Sequence, residues 1–216
     1  MLGKVKEKLI RSKKKWAEEG RLLTGEVADP AVDRLPPGQR KVDQWPVLDL
    51  GIQPELTQDE MRLEIDGLVE NPVTLDWQGL HALPKFSQTT DIHCVTAWSR
   101  YDNRFDGVSV ASLIDLVKPT QAAQFVLFEA HDGYTTNLSR AVFEDETAML
   151  ATHWEGAPLT PDHGGPLRVV VPKKYFWKSA KWVKRITFSA DDKPGFWEVR
   201  GYHNDGDPWQ EERYAP

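Results

Sequence analysis

Between Pro166 and Pro172 the chain reads PLRVVVP, a continuous apolar run closed at both ends by proline. The run is too short for a helix, and its tight bounds are those of a buried strand. Other segments after residue 47 are equally brief. MRLEIDGLV alternates as a strand does, NPVTLDWQGLHAL reads as a turn followed by a short helix, and TTDIHCVTAW is a further strand candidate. VSVASLIDLV has helical spacing and stops at Pro119; QFVLFEAHDGYTTNLS predicts two strands about an Asp132-Gly133 turn. FEDETAMLAT reads as a short helix or turn, KWVKRITFS as a strand, and the last twenty residues as an aromatic, turn-rich tail. Many strands mixed with short helices predict an α+β domain with mixed β-sheets. With 40% hydrophobic residues and nine tryptophans, 216 residues carry enough apolar surface for one substantial core. No internal repeat or low-complexity tract interrupts it.

The N-terminus differs. GKVKEKLIRSKKKWAEEGRLL has Val5, Leu9, Ile10 and Trp16 at roughly helical spacing, with Gly20 as a stop. Residues 1–21 hold eight Lys/Arg against three Glu, a net +5 that leaves −11 for the rest of a chain whose total is −6. This balance gives no reason to expect nucleic acid. A basic amphipathic helix can adsorb to an anionic membrane, but an arm packing its narrow apolar stripe on the body is the preferred reading. Pro30, Pro36, Pro37 and Pro46 make residues 24–46 an extended connector laid along the surface. The expected division is therefore a basic arm and connector over 1–40 and one domain over 41–216. A single cysteine excludes an internal disulfide, the basic N-terminus has no apolar signal core after it, and no stretch reaches the roughly 18 apolar residues of a membrane span. The expected location is cytoplasmic.

Familiar chemical signatures are missing: no GxGxxG, Walker loop, HExxH or GxSxG occurs. The six histidines show no chelating spacing for zinc. That leaves Cys94, the sole cysteine, within DIHCVTAWSRYDNRFDG. A lone cysteine is usually an inert core residue. If it is a nucleophile, adjacent His93 is a poor base, because neighbours on a strand point to opposite faces. A hydrolase would need His131, His153, His163 or His203. Further on, Arg168, Lys173, Lys174, Lys178, Lys181, Lys184 and Arg185 crowd into eighteen residues of an acidic chain, just after Gly164-Gly165-Pro166. Glycine-rich backbone with basic side chains suits a phosphate; an ordinary solvated basic face fits the pattern equally well. A soft thiolate together with a phosphate cradle would fit a metal carried by a phosphorylated organic cofactor.

HCVTAWS, then DGY, PLTPDHGGPLRVVVPKKYFWKSAKW and GYHNDGDPWQEERY together resemble the sulfite-oxidase-type molybdopterin oxidoreductases over residues 41–216, most closely their short bacterial members. The resemblance implies a sulfite oxidase-like fold and a molybdenum held by one molybdopterin and one protein cysteine, here Cys94. It implies cofactor anchoring by His163 and Arg168 of the G-x-P-x-R segment and by Ser179, Ala180 and Lys181 beyond it. Gln44 with Trp45, and His131 with Asp132, match further pterin contacts. The implied reaction is two-electron redox coupled to oxygen-atom transfer on a small oxyanion, sulfur oxide or nitrogen oxide. Arg100 or Arg104 would hold an anionic substrate, and Tyr101, Tyr202 and His203 would hydrogen-bond it; alternatively the arginines form surface ion pairs and the aromatics simply pack. Many relatives carry tryptophan where this chain has Phe105, so specificity does not transfer from that position. No heme-binding or dimerisation domain and no twin-arginine signal is recognised, so an external electron-transfer partner is expected. Two rival readings are a cysteine hydrolase built on Cys94 and a pterin-binding module without catalysis.

Overall fold

The computed structural model of the protein describes residues 7, 8, 10–15 and 34–216. Described residues between 7 and 15 are helical; the rest of the predicted arm helix, and the connector before residue 34, lie outside them.

Two sheets build the body. A six-stranded sheet joins β1 (Arg40–Lys41), β4 (Lys85–His93), β5 (Trp98–Ser109), β8 (Met149–Trp154), β9 (Ala157–Pro158) and β10 (Arg168–Val170). Its main path runs β1-β5-β8-β10, with β4 on β5 and β9 on β8. The second sheet has the order β3-β2-β11-β6-β7, from β2 (Arg62–Gly67), β3 (Val73–Asp76), β6 (Phe125–Ala130), β7 (Thr135–Ser139) and β11 (Val183–Ser189). β1 with β5 and β2 with β11 are parallel; the other pairs are antiparallel. With few and short helices, this is an α+β fold of mixed sheets.

The six-stranded sheet is buried on both faces, which explains the unbroken apolar PLRVVVP. Leu150, Leu167, Val169 and Val171 join Leu63, Ile65, Val126, Phe128, Ile186 and Phe188 in a core between the sheets. Met149, Ala151 and Val170 point the other way, into a second cluster with Trp45, Cys94, Trp98, Phe105, Trp177 and Tyr202. Each large side chain so buried contributes roughly 1.5–3 kcal/mol. Alternation along β10 puts Arg168 on the same face as Val170, in the second cluster. Val110, Leu113 and Val117 bury one face of the helix Val110–Val117. Ser109 caps that helix by accepting from the Ser112 amide, and left-handed Lys118 ends it.

Three local expectations change. The longest strand, β5, was not expected, because three of its five alternating buried positions are Ser99, Asn103 and Gly107 rather than large apolar residues. Its glycine is imposed by packing: a Cβ there would lie 2.0 Å from the Leu150 carbonyl oxygen. Residues 149–152, expected in a helix or turn, open β8. The connector does not merely skirt the surface, since Leu35, Gln39, Val42 and Trp45 are buried and β1 pairs with β5. Ile10 of the arm is also buried in the second cluster.

Candidate functional site

Cys94 lies not on a strand but at the first position of the turn joining β4 to β5. Its amide donates to the Trp98 carbonyl at 2.8 Å, and its carbonyl accepts from the Ala97 amide at 3.0 Å and from Gln39 Nε2 at 3.1 Å. Ala97 takes a left-handed φ of 67° to close the loop. Backbone bonds on both sides of Cys94 fix where its sulfur points, which is into a cavity. There the Thr96 hydroxyl donates to Sγ at 3.1 Å. Burial pushes the thiol pKa up, opposed by the bond from Thr96. A neutral thiol suits neither hydrolysis nor redox exchange; a bound cation would reverse the shift. His93, the last residue of β4, is engaged elsewhere: its Nδ1 meets Ser99 Oγ at 2.8 Å, and burial lowers its pKa to about 4. Of the four histidines that a hydrolase could use, His163 lines the cavity with Cys94, and His131, His153 and His203 do not.

The cavity opens to solvent. Arg168 and Lys181 are cross-strand partners in an isolated bridge, which brings both cations to one wall. Arg168, 2% exposed, donates to the carbonyls of His163 at 2.7 Å and Ser179 at 3.0 Å. Burial lowers its pKa to about 9, and no carboxylate pairs with it among the described residues. Lys181 donates to the Asp162 carbonyl at 2.7 Å; burial, then Arg168, lowers its pKa to about 7. Gly164 lets Lys181 lie this close, since a Cβ there would sit 2.9 Å from the lysine Cβ. The His163 ring stacks on Trp45 at 4.0 Å and 14°, and the Arg168 guanidinium lies 5.1 Å from the Trp45 ring and 4.4 Å from that of Phe176. Burial first, with Arg168, Lys181 and Arg100 adding repulsion, lowers the pKa of His163 to about 4, so its imidazole is neutral at neutral pH.

Among the residues singled out in the sequence, the structure brings Trp45, Cys94, Asp132, His163, Arg168, Ser179, Lys181 and Tyr202 to this cavity. The others stand elsewhere. Gln44 is exposed beside Trp45, and Ala180 is buried in the core between the sheets. His131 opens onto a shallow depression with Arg62, Glu64 and Lys184, because the turn that sends Asp132 inward sends it out. Arg100 is held by the Asp43 carbonyl at 3.0 Å and Glu155 at 3.3 Å, over Trp154 and behind His163, so it is not poised for an oxyanion. Arg104 pairs with Asp106 at the surface. Tyr101 lies under Arg34 and Lys41, and His203 accepts from the amides of Asp205 and Gly206. Phe105 is fully buried, edge-on to Trp45 at 5.7 Å, and is not part of the lining.

The basic run divides in the same way. Lys173, Lys174, Lys178, Lys184 and Arg185 each meet a carboxylate, whereas Arg168 and Lys181 meet carbonyls and the cavity. Several cavity residues were missed in the sequence: Thr96, inside the cysteine motif; Trp177 and Trp197, given no role of their own there; Tyr134; and Lys13, 81 residues before Cys94. Among the described residues no three His, Cys, Asp or Glu side chains converge. A metal on Cys94 would therefore take its remaining donors from a bound organic group. A buried thiol, the buried Arg168 and the half-buried Lys181, neither in an ion pair with a carboxylate among the described residues, and an aromatic-walled space fit a phosphate-bearing metal cofactor.

Residues 50–197 match the family model described as oxidoreductase molybdopterin binding domain. The chain is 43% identical over 183 residues to the uncharacterized oxidoreductase YuiH of Bacillus subtilis (strain 168), covering 84% of this chain and 92% of that protein. It is 31% identical over 160 residues to the protein-methionine-sulfoxide reductase catalytic subunit MsrP of Campylobacter jejuni, covering 63% of this chain and 52% of MsrP, so it spans about half that protein's length. The crystal structure of the sulfane dehydrogenase SoxCD from Paracoccus pantotrophus aligns with a TM-score of 0.59 at 22% identity, over 64% of this chain and 40% of that one, a likeness of fold.

Proposed function

The chain belongs to the family of oxidoreductase molybdopterin-binding domains, and from that premise we propose that it transfers an oxygen atom to or from a small sulfur or nitrogen oxide. Its fold is sulfite oxidase-like and its cofactor is Mo-molybdopterin. One observation carries the reading: the buried Cys94 thiol and the buried guanidinium of Arg168, which has no carboxylate partner among the described residues, open onto one cavity. When bound, the cofactor supplies two-electron redox chemistry and the oxygen transfer.

The chain's own residues hold and orient. Cys94 provides a sulfur donor whose position is set by the turn, and Thr96 donates a hydrogen bond to that sulfur. Arg168 and Lys181 would hold the anionic end of the cofactor through charge-assisted hydrogen bonds. His163 is held flat against Trp45 and neutral, so it offers one donor and one acceptor without adding charge. Trp98, Trp177, Trp197 and Tyr202 exclude water from the cysteine side. The similarity to a methionine-sulfoxide reductase subunit and to the fold of a sulfane dehydrogenase supports a sulfur oxide as substrate. The reading further places the protein in the cytoplasm, exchanging electrons with a separate redox carrier.

Expression with molybdate and cofactor supply tests this. Wild type should carry stoichiometric molybdenum and turn over sulfite with an electron-accepting dye, or methionine sulfoxide or an N-oxide with a reduced one. Cys94→Ser should lose the activity and most of the metal. Wild type without molybdenum, or an active Cys94→Ala variant, would end the proposal.

A further inference from the structure

The N-terminal helix does more than rest on the body. Ile10 is 4% exposed in the cluster that contains Cys94, Trp197 and Tyr202, and one turn later Lys13 enters the lining of the cavity. Its ammonium donates to the backbone carbonyl of Asp49. Beside it, the Lys14 ammonium comes within 3.6 Å of where a Cβ on Gly201 would stand, so the helix bridges the 49 and 201 segments at the cavity.

The environment of Lys13 repeats that of Arg168 and Lys181. Burial pulls its pKa down, and the Asp49 carboxylate and the Cys94 sulfur act against that shift, so the ammonium lies within electrostatic reach of the cysteine. Lys181 in turn feels Lys13 as a repelling neighbour. Three carboxylates also line the space, but each is engaged. Asp49 accepts from the Gly51 amide at 2.8 Å and Gln53 Nε2 at 2.9 Å, Asp132 accepts from the Tyr134 amide at 2.9 Å, and Asp162 is bonded by Thr160 and its own turn. An ammonium has three donors, and a carbonyl takes one. A desolvated cation left with unused donors is stabilised by an arriving anion.

We propose that Lys13, carried by the N-terminal helix, is a third anion-binding residue of the cavity and contacts an oxyanion group, either a phosphate of the bound cofactor or the substrate itself. The assignment rests on the functional reading above for what occupies the cavity. It makes the basic arm part of the site: the helix docks through Ile10 and delivers one charge beside Cys94.

The test compares full-length wild type, Lys13→Gln and Lys13→Arg with Lys8→Gln, a change at an exposed position of the same helix. Cofactor-free protein is titrated with sodium sulfate against sodium chloride at matched ionic strength, read by tryptophan fluorescence. Loaded protein is assayed for molybdenum and pterin after gel filtration, and for KM with sulfite and with an uncharged sulfoxide. Lys13→Gln should weaken sulfate binding on the order of tenfold, the size of one charge-assisted hydrogen bond, with Lys13→Arg largely restoring it. Reduced cofactor retention assigns the contact to the phosphate. Unchanged retention with a raised KM for sulfite alone assigns it to the substrate. If Lys13→Gln matches Lys8→Gln in all three readouts, the proposal is overturned. Wild type that takes up no molybdenum would defeat the functional reading, while the sulfate titration would still decide the role of Lys13.

Discussion

Arg168 and Lys178 are ten residues apart, and both are almost fully buried, at 2% and 0% exposure. Lys178 sits in a closed network: Glu198 Oε1 at 2.7 Å, and the Asn137 carbonyl and Oδ1 at 3.0 Å each. The same Glu198 oxygen accepts from Thr136 and from Trp177 Nε1, both at 2.9 Å. Burial lowers the Lys178 pKa, and Glu198 works against it. Among the described residues Arg168 has carbonyl dipoles and the Trp45 and Phe176 rings but no carboxylate, with an open cavity beyond. A buried charge is tolerated when it is paired and costs stability when it is not. Lys178 therefore belongs to the fold, and Arg168 is held ready for a guest that brings its own negative charge.

That contrast can be broken most forcefully at Lys178. Lys178→Met should cost about 3–5 kcal/mol in urea unfolding, because Glu198 is left buried and unpaired, and the loss should be the same with and without cofactor. Adding Glu198→Gln should recover part of it. Full stability in the single variant would mean that the pair does not hold the tail to β7. Arg168→Gln should show the opposite signature. The unfolding free energy of cofactor-free protein should stay within about 1 kcal/mol, while molybdenum and pterin retained after gel filtration should fall tenfold or more. Equal loss of fold and cofactor would erase the distinction between the two cations.

A finer probe is pH. In the cofactor-free protein the Lys181 pKa lies at about 7 against an ordinary 10.5, so it is charged below pH 7 and loses its proton above it. Anion binding favours the charged form and raises the pKa again, so binding takes up a proton above pH 7. Sulfate affinity should therefore fall as pH rises through 7, approaching about tenfold per unit well above it. Lys181→Arg should flatten the profile. A wild-type profile flat from pH 6 to pH 9 would show that Lys181 is not part of the anion site.

Much of the plan was legible from the residues. PLRVVVP is a strand buried on both faces, Asp132-Gly133 does turn a hairpin, and Ser109 to Lys118 bounds a helix, because each rests on local rules of period, turn chemistry and capping. Local rules failed where tertiary packing chose the residue. Asn103 and Gly107 hid β5: one satisfies buried hydrogen bonds, and the other admits the Leu150 backbone. The motif resemblance reached Cys94, Arg168 and Lys181, which share the cavity, and also Arg100, Tyr101, His131 and His203, which do not line it.

The sequence by itself determined which residue types are present at motif spacing: one thiol, a glycine pair and a cluster of seven cations in an acidic chain. Tertiary structure decided which cations are neutralised and which face open space. That choice depends on carboxylates distant along the chain, Glu198 for Lys178 and Asp66 for Arg185, and it brings Lys13 to the cavity that Cys94 lines. Electrostatic pairing acts over a few ångströms in space, and a one-dimensional spacing does not encode that distance.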